Sequence, residues 1–180
     1  MKNTTAKIER AQSTIEWVGK KVTGAHNGTI DIKEGELVFS DNTLTGGHFV
    51  IDITSIKILD IEDPATNAQF AGHLDSDDFF STQKFPEATF EITSVKGNHV
   101  VGNLTIKGIT HLIGFEAAID FKNETATATA KIIVDRTKYD MKFRSSNFFA
   151  NLGDTLIYND FELNVSITAR VATKNSSVLA

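Results

Sequence analysis

The stretch Asp160–Arg170, DFELNVSITAR, alternates without a break: Phe161, Leu163, Val165, Ile167 and Ala169 fall on one side, and Glu162, Asn164, Ser166 and Thr168 on the other. A repeat of two is that of a β-strand with one face on a core and the other in water, whereas a helix would repeat every 3.6 residues. The stretch therefore predicts a long, half-buried strand.

Outward from it, the same rule finds companions. Ile15, Trp17 and Gly19 share a face, as do Ile30 and Ile32; Phe49, Ile51 and Ile53; and Ala88, Phe90 and Ile92. Further runs are Val100, Gly102, Leu104 and Ile106; Ile113, Phe115, Ala117, Ile119 and Phe121; and Ala126, Ala128, Ala130, Ile132 and Val134. About eight strands result. Short polar or glycine-bearing breaks at Lys33-Glu34-Gly35, Gly97-Asn98, Lys107-Gly108 and Lys122-Asn123 make antiparallel hairpins the natural connection. Eight such strands close most readily into a barrel, because closure removes exposed edges; a sandwich is the alternative. The outer faces carry Glu16, Lys20, Glu91, Thr127 and Lys131, which excludes a lipid-embedded barrel.

One segment departs from the alternation. In DPATNAQFAGHL, Asp63 is placed to cap a helix that starts at Pro64, with Ala68, Ala71 and Leu74 at helical spacing. In SDDFF, Ser76 is placed to cap a second short turn with Asp77 and Asp78 at its start. Helical structure is thus expected over about residues 64–82. Between Tyr139 and Tyr158 the alternation fades, and RSSNFFANLGDT reads as a long ordered loop. A single domain is expected over residues 8–171, with residues 1–7 and 172–180 as flexible ends.

The chain has 180 residues, no cysteine and a net charge of −5. Disulfide frameworks and thiolate chemistry are excluded, and the acidic balance argues against nucleic acid as a partner. No run approaches the roughly 18 apolar residues of a spanning helix. MKNTTAKIER lacks the apolar stretch of a secretory signal, so a cytoplasmic location is the default, and a periplasmic one follows if an export signal has been removed.

Candidate chemistry is sparse. HLDSDDFF offers His73, Asp75, Asp77 and Asp78, but an EF-type calcium loop is rejected, since Phe79 and Phe80 hold a ligand position and the glycine position. A looser metal-assisted hydrolase or isomerase built on His73, Asp75 and Asp77 stays open beside simple helix capping. His26, His48, His99 and His111 are scattered singletons. Asp135-Arg136 reads as a structural ion pair or as a clamp for an anionic head group. The inward faces carry almost no titratable side chain, which disfavours catalysis inside the barrel, and no cofactor is called for.

Two readings of the interior remain: a core filled by its own side chains, leaving the outside as a partner-binding scaffold, or a bore kept partly vacant. The small residues Gly19, Gly102, Ala126, Ala128 and Ala130 favour a vacancy. Strand parity nominates Trp17, Phe49, Ile51, Phe90, Leu104, Ile106, Phe115, Ile119, Ile132, Phe161 and Leu163 as its lining.

Three stretches, HLDSDDFFSTQKFPEATF (73–90), VGNLTIKGITHLIGF (101–115) and VDRTKYDMKFRSSNFF (134–149), together resemble the YceI-like family of lipocalin-like polyisoprenoid-binding proteins. WVGKKVTGAHNG (17–28) and NLGDTLIYNDFELNV (151–165) are similar as well. The resemblance implies an extended eight-stranded antiparallel barrel whose apolar tunnel binds, sequesters or transports an isoprenoid or other long-chain lipid, with a helical segment at one end. It also implies bacterial relatives that are often periplasmic, homodimers among them, and Phe79 and Phe80 as plugs. His73, Arg136 and Arg144 stand as candidates to meet a head group at the mouth. Where many relatives have glycine after the aromatic of the DR-containing element, this chain has Asp140 after Tyr139.

Overall fold

The computed structural model describes residues 3–145, 152–153 and 156–171. Among these lie nine strands: β1 (Asn3–Ile8), β2 (Thr14–Lys21), β3 (Gly24–Ser40), β4 (Thr43–Ile58), β5 (Glu87–Lys96), β6 (His99–Ile106), β7 (Ile109–Lys122), β8 (Thr125–Asp135) and β9 (Ile157–Val171). The α-helix α1 (Pro64–Asp75) interrupts the series after β4. Every pairing is antiparallel. The ring runs β3-β2-β9-β8-β7-β6-β5-β4 and closes by the pairing of β4 with β3.

β1 is not a ninth position in that ring. β2 pairs with the first part of β3, as far as Ile15↔Ile30, and β1 takes up the last part from Lys7↔Glu36 to Asn3↔Ser40. The same division holds against β9. β1 and β2 are therefore two halves of one broken strand, and the expected eight-stranded barrel is what forms. At the break, the Ser13 hydroxyl accepts from the Thr168 amide (3.1 Å) and donates to the Thr168 carbonyl (3.3 Å), replacing ladder bonds that the 3-10 turn at Arg10–Gln12 removes.

Several expectations need correction. Residues 3–7, expected to fray, are strand, and Ala6 is wholly buried; residues 172–180 lie outside the described residues. Lys33-Glu34-Gly35 is no turn. β3 runs straight through it, absorbing the extra residue as a bulge between Ile32 and Glu34. The hairpin turn comes later, at Asp41-Asn42, where φ is +51° and +69°. Positive φ at both residues marks a type I′ turn; at Gly97-Asn98 only Gly97 has it, but Lys107-Gly108 and Asn123-Glu124 have it at both. The last of these sits one residue beyond its expected place.

The helical segment is shorter than expected. Asp63 does cap α1, accepting from the Thr66 amide at 2.9 Å, and Pro64 does open it. Ser76 ends the helix, its amide and hydroxyl both donating to the His73 carbonyl (3.1 and 2.6 Å), while its own carbonyl accepts from the Phe79 and Ser81 amides (3.1 and 2.9 Å) and so opens the second short turn expected there. Residues 77–80 form a turn. Of the long loop after Tyr139, residues 146–151, with Phe148 and Phe149, fall outside the described residues. Asp140 sits in left-handed conformation (φ +62°, ψ +34°), which accounts for the glycine expected there; aspartate tolerates this region better than most side chains.

Candidate functional site

The inward faces meet differently at the two ends of the barrel. At the end where β3 finishes and β8 begins, Phe39 and Phe121 stack with ring centres 4.2 Å apart, and Ala6, Ala126 and Ala169 are wholly buried around them. This end is solid. Ala126 thus leaves no vacancy, contrary to expectation: it makes room for Phe121, its cross-strand partner. Gly102 likewise serves packing, since a Cβ there would meet the Glu91 carbonyl and lie 2.6 Å from the Phe90 ring. Gly19, by contrast, has nothing within 4 Å of where its Cβ would stand.

Above that floor the bore is vacant, with a cavity of about 620 Å³, in the range of sites that bury a small organic ligand. All eleven positions nominated by strand parity line it: Trp17, Phe49, Ile51, Phe90, Leu104, Ile106, Phe115, Ile119, Ile132, Phe161 and Leu163. Ala128, Ala130 and Gly19 also border it. The seven steps of β8 from Ala128 to Asp135 correspond to roughly 20 Å of barrel axis.

The polar lining gathers at the far end, under α1. Thr66, Gln69, Phe70, His73 and Leu74 turn one face of the helix to the cavity, a spacing of three, four, seven and eight that marks a single helical stripe. Sequence reasoning picked Ala68 and Ala71 with Leu74 instead. The Thr-Gln-Phe-His-Leu spacing was the available signal, obscured by its two polar members. His26 was also missed. It reaches the same rim from β3, held by Asp60 at 2.8 Å and edge-on to Phe70. Although burial opposes its charge, the Asp60 carboxyl is held below its ordinary range by the Asn27 amide and His26.

The five residues nominated for the mouth, His73, Phe79, Phe80, Arg136 and Arg144, all border the cavity, but their roles divide. Arg136 is 3% exposed and spends its donors on backbone carbonyls: Nε on Tyr158 (3.0 Å), Nη1 on Met141 (2.6 Å), Nη2 on Phe143 (2.8 Å) and Ile157 (3.1 Å). Burial lowers its pKa to about 10, with Asp135 opposing, so it stays charged at neutral pH. The structural ion pair expected with Asp135 is corrected, because that carboxylate instead caps the next turn through Thr137. Arg136 ties the 141–143 segment to β9 and lies over the Phe79 ring. Lys107 does similar work, donating to the carbonyls of Asp77 and Asp140 (3.0 and 2.9 Å). Arg144 is exposed and rests against Phe143.

His73, Asp75 and Asp77 do not converge on a common point. His73 pairs with Asp78 (3.1 Å) and is edge-on to Phe79 and Phe143; Asp75 accepts from Thr82 (2.9 Å) and Asp77 from Ser81 (2.6 Å). These acids brace the turn after α1. Among the described residues no helix is long and apolar enough to cross a membrane.

The model of the YceI-like domain matches residues 7–169. A UPF0312 protein of Staphylococcus aureus is 41% identical over 81 residues, 41% of this chain and 47% of that protein. One of Staphylococcus epidermidis is 31% identical over 106 residues, 53% and 62% respectively. The matched part spans about half the length of these curated relatives. Among solved structures, a polyisoprenoid binding domain from Saccharophagus degradans, implicated in plant cell wall breakdown, superposes with a TM-score of 0.68 at 13% identity, covering 95% of this chain and 100% of that one. Burkholderia cenocepacia BcnA gives 0.64 at 19%, covering 92% and 99%. At such identities the likeness is one of fold.

Proposed function

The chain belongs to the YceI-like domain family, and on that footing we propose that its bore binds a long apolar chain, a polyisoprenoid or similar amphiphilic lipid, for sequestration or transport. The observation that carries this is the cavity itself: a tall vacancy walled by aliphatic and aromatic side chains, closed at one end and polar only at the other. Each methylene moved from water into such a wall contributes about 0.8 kcal/mol, so affinity needs no catalytic group. A polar head rests at the α1 rim, with His73, His26 and the exposed Arg144 as the groups it meets. Arg136 shapes that rim instead of contacting the head, its donors being engaged with carbonyls. The protein acts by binding, not by catalysis; the separate engagements of His73, Asp75 and Asp77 support this. The name of the Saccharophagus domain points to the same class of ligand.

Organic extraction of the purified protein followed by mass spectrometry tests the reading. An amphiphile is expected from the unaltered chain and not from an Ala130→Trp variant, whose indole occupies the bore. If nothing co-purifies and no prenyl or acyl lipid binds, the reading fails.

A further inference from the structure

The geometry points to a lateral portal in the barrel wall, between the upper halves of β7 and β8, through which the apolar chain enters and leaves. This inference rests on the lipid-binding reading above.

The β7–β8 ladder runs from Lys122↔Thr125 to Ala117↔Ala130 and stops there. Beyond it, residues 109–116 of β7 pair only toward β6, and residues 131–135 of β8 only toward β9. Among the described residues no ladder joins the two facing edges. The opening is framed at the top by the ring of His111, whose Nε2 meets the Lys138 carbonyl at 2.9 Å, and at the bottom by the Ala117↔Ala130 pair.

Three further observations give this gap a use. Thr129 and Ala130 border both the bore and an outer cleft that Glu116 and Lys131 flank, so at the foot of the gap a single strand separates the two. Inward-facing Phe115 and Ile132 beside it are half-buried and line the bore. The outer lips carry one large exposed apolar side chain each, Leu112 (64% exposed) on β7 and Ile133 (49%) on β8. They are two of five large exposed apolar side chains among the described residues, with Val22, Leu59 and Tyr158, and as a pair flanking one opening they suit an apolar guest. A hydrocarbon tail sliding in sideways stays in apolar contact from lip to bore. The axial route leads instead past α1 and the turn that Lys107 and Arg136 hold in place.

The chain has no cysteine, so introduced thiols cross-link unambiguously. Glu116→Cys with Lys131→Cys places them at the next pair the ladder would form, and a short bismaleimide joins them. Asp120→Cys with Thr127→Cys, an outward pair inside the intact ladder, is the control. Release of dansyl-tagged farnesol to phosphatidylcholine vesicles is followed by stopped flow. Stapling the gap is expected to slow release by about tenfold or more while equilibrium binding of preloaded probe persists, and the control staple leaves the rate unchanged. A second variant, Leu112→Glu with Ile133→Glu, slows transfer without any cross-link. If binding persists but neither change alters the rate, the tail passes beneath α1 and the portal is wrong. If the probe does not bind the unaltered chain, the lipid-binding reading falls first and the portal with it.

Discussion

Arg136 keeps a full charge inside the barrel end by bonding to carbonyl oxygens, so its loss strands several acceptors at once. Arg136→Met is expected to cost about 3 kcal/mol or more, read from the urea midpoint, because hydrogen bonds to a charged group contribute more than neutral ones and the orphaned carbonyls remain buried. Arg136→Lys recovers only part of that, since an ammonium cannot fork to four acceptors. Two glycines make a contrasting pair. Gly102→Ala drives a methyl group against the Phe90 ring and the Glu91 carbonyl, an overpacking expected to cost about 1–3 kcal/mol. Gly19→Ala meets nothing and is expected to stay within about 0.5 kcal/mol of the parent. Sequence placed both glycines on inward faces and gave both the same meaning. Only what the neighbouring strand sets against each of them, backbone and ring at Gly102 and nothing at Gly19, distinguishes the two.

Among the elements, α1 is held by its ends more than by its faces: none of its residues is buried. The carboxyls of Asp63 and Asp77 lie below their ordinary range, chiefly through the hydroxyls of Thr66 and Ser81. A carboxylate depressed in the folded state stabilises it above the unfolded pKa of about 4, and that contribution is lost as pH falls through the folded value. Hydrogen-exchange protection at the Thr66 amide is therefore expected to drop below about pH 4 while the barrel strands keep theirs. Asp63→Asn, whose amide oxygen caps without titrating, should hold its protection to lower pH. Legibility varies by element for the same kind of reason. β9 announces itself because every second residue is apolar, and Pro64 with Asp63 marks a helix start by purely local chemistry. The bulge at Ile32/Glu34 imitates a turn because Lys-Glu-Gly satisfies both, and the choice is made by where β4 pairs. β1 is too short for its alternation to register, and only the vacancy left by β2 gives it a place.

For the whole molecule, alternation reveals which side chains point inward but not which of them touch one another. All eleven nominated wall residues border the vacancy, whereas the Phe39–Phe121 floor and the end of the β7–β8 ladder at Ala117↔Ala130 depend on three-dimensional meetings that no periodicity records. A lipid occupying the bore should raise the unfolding free energy by about 2.7 kcal/mol at a hundredfold excess over its Kd, visible as an upward shift in Tm. The stacked rings at the floor carry a corollary for which guests are held best. A blind tube gauges its contents: once a tail reaches Phe39 and Phe121, added carbons push the head group back out past the rim and gain nothing. Across a homologous series of prenyl alcohols, tightening should therefore proceed stepwise and then level off, and trimming the aromatic stop by Phe121→Ala should move that plateau to a longer member.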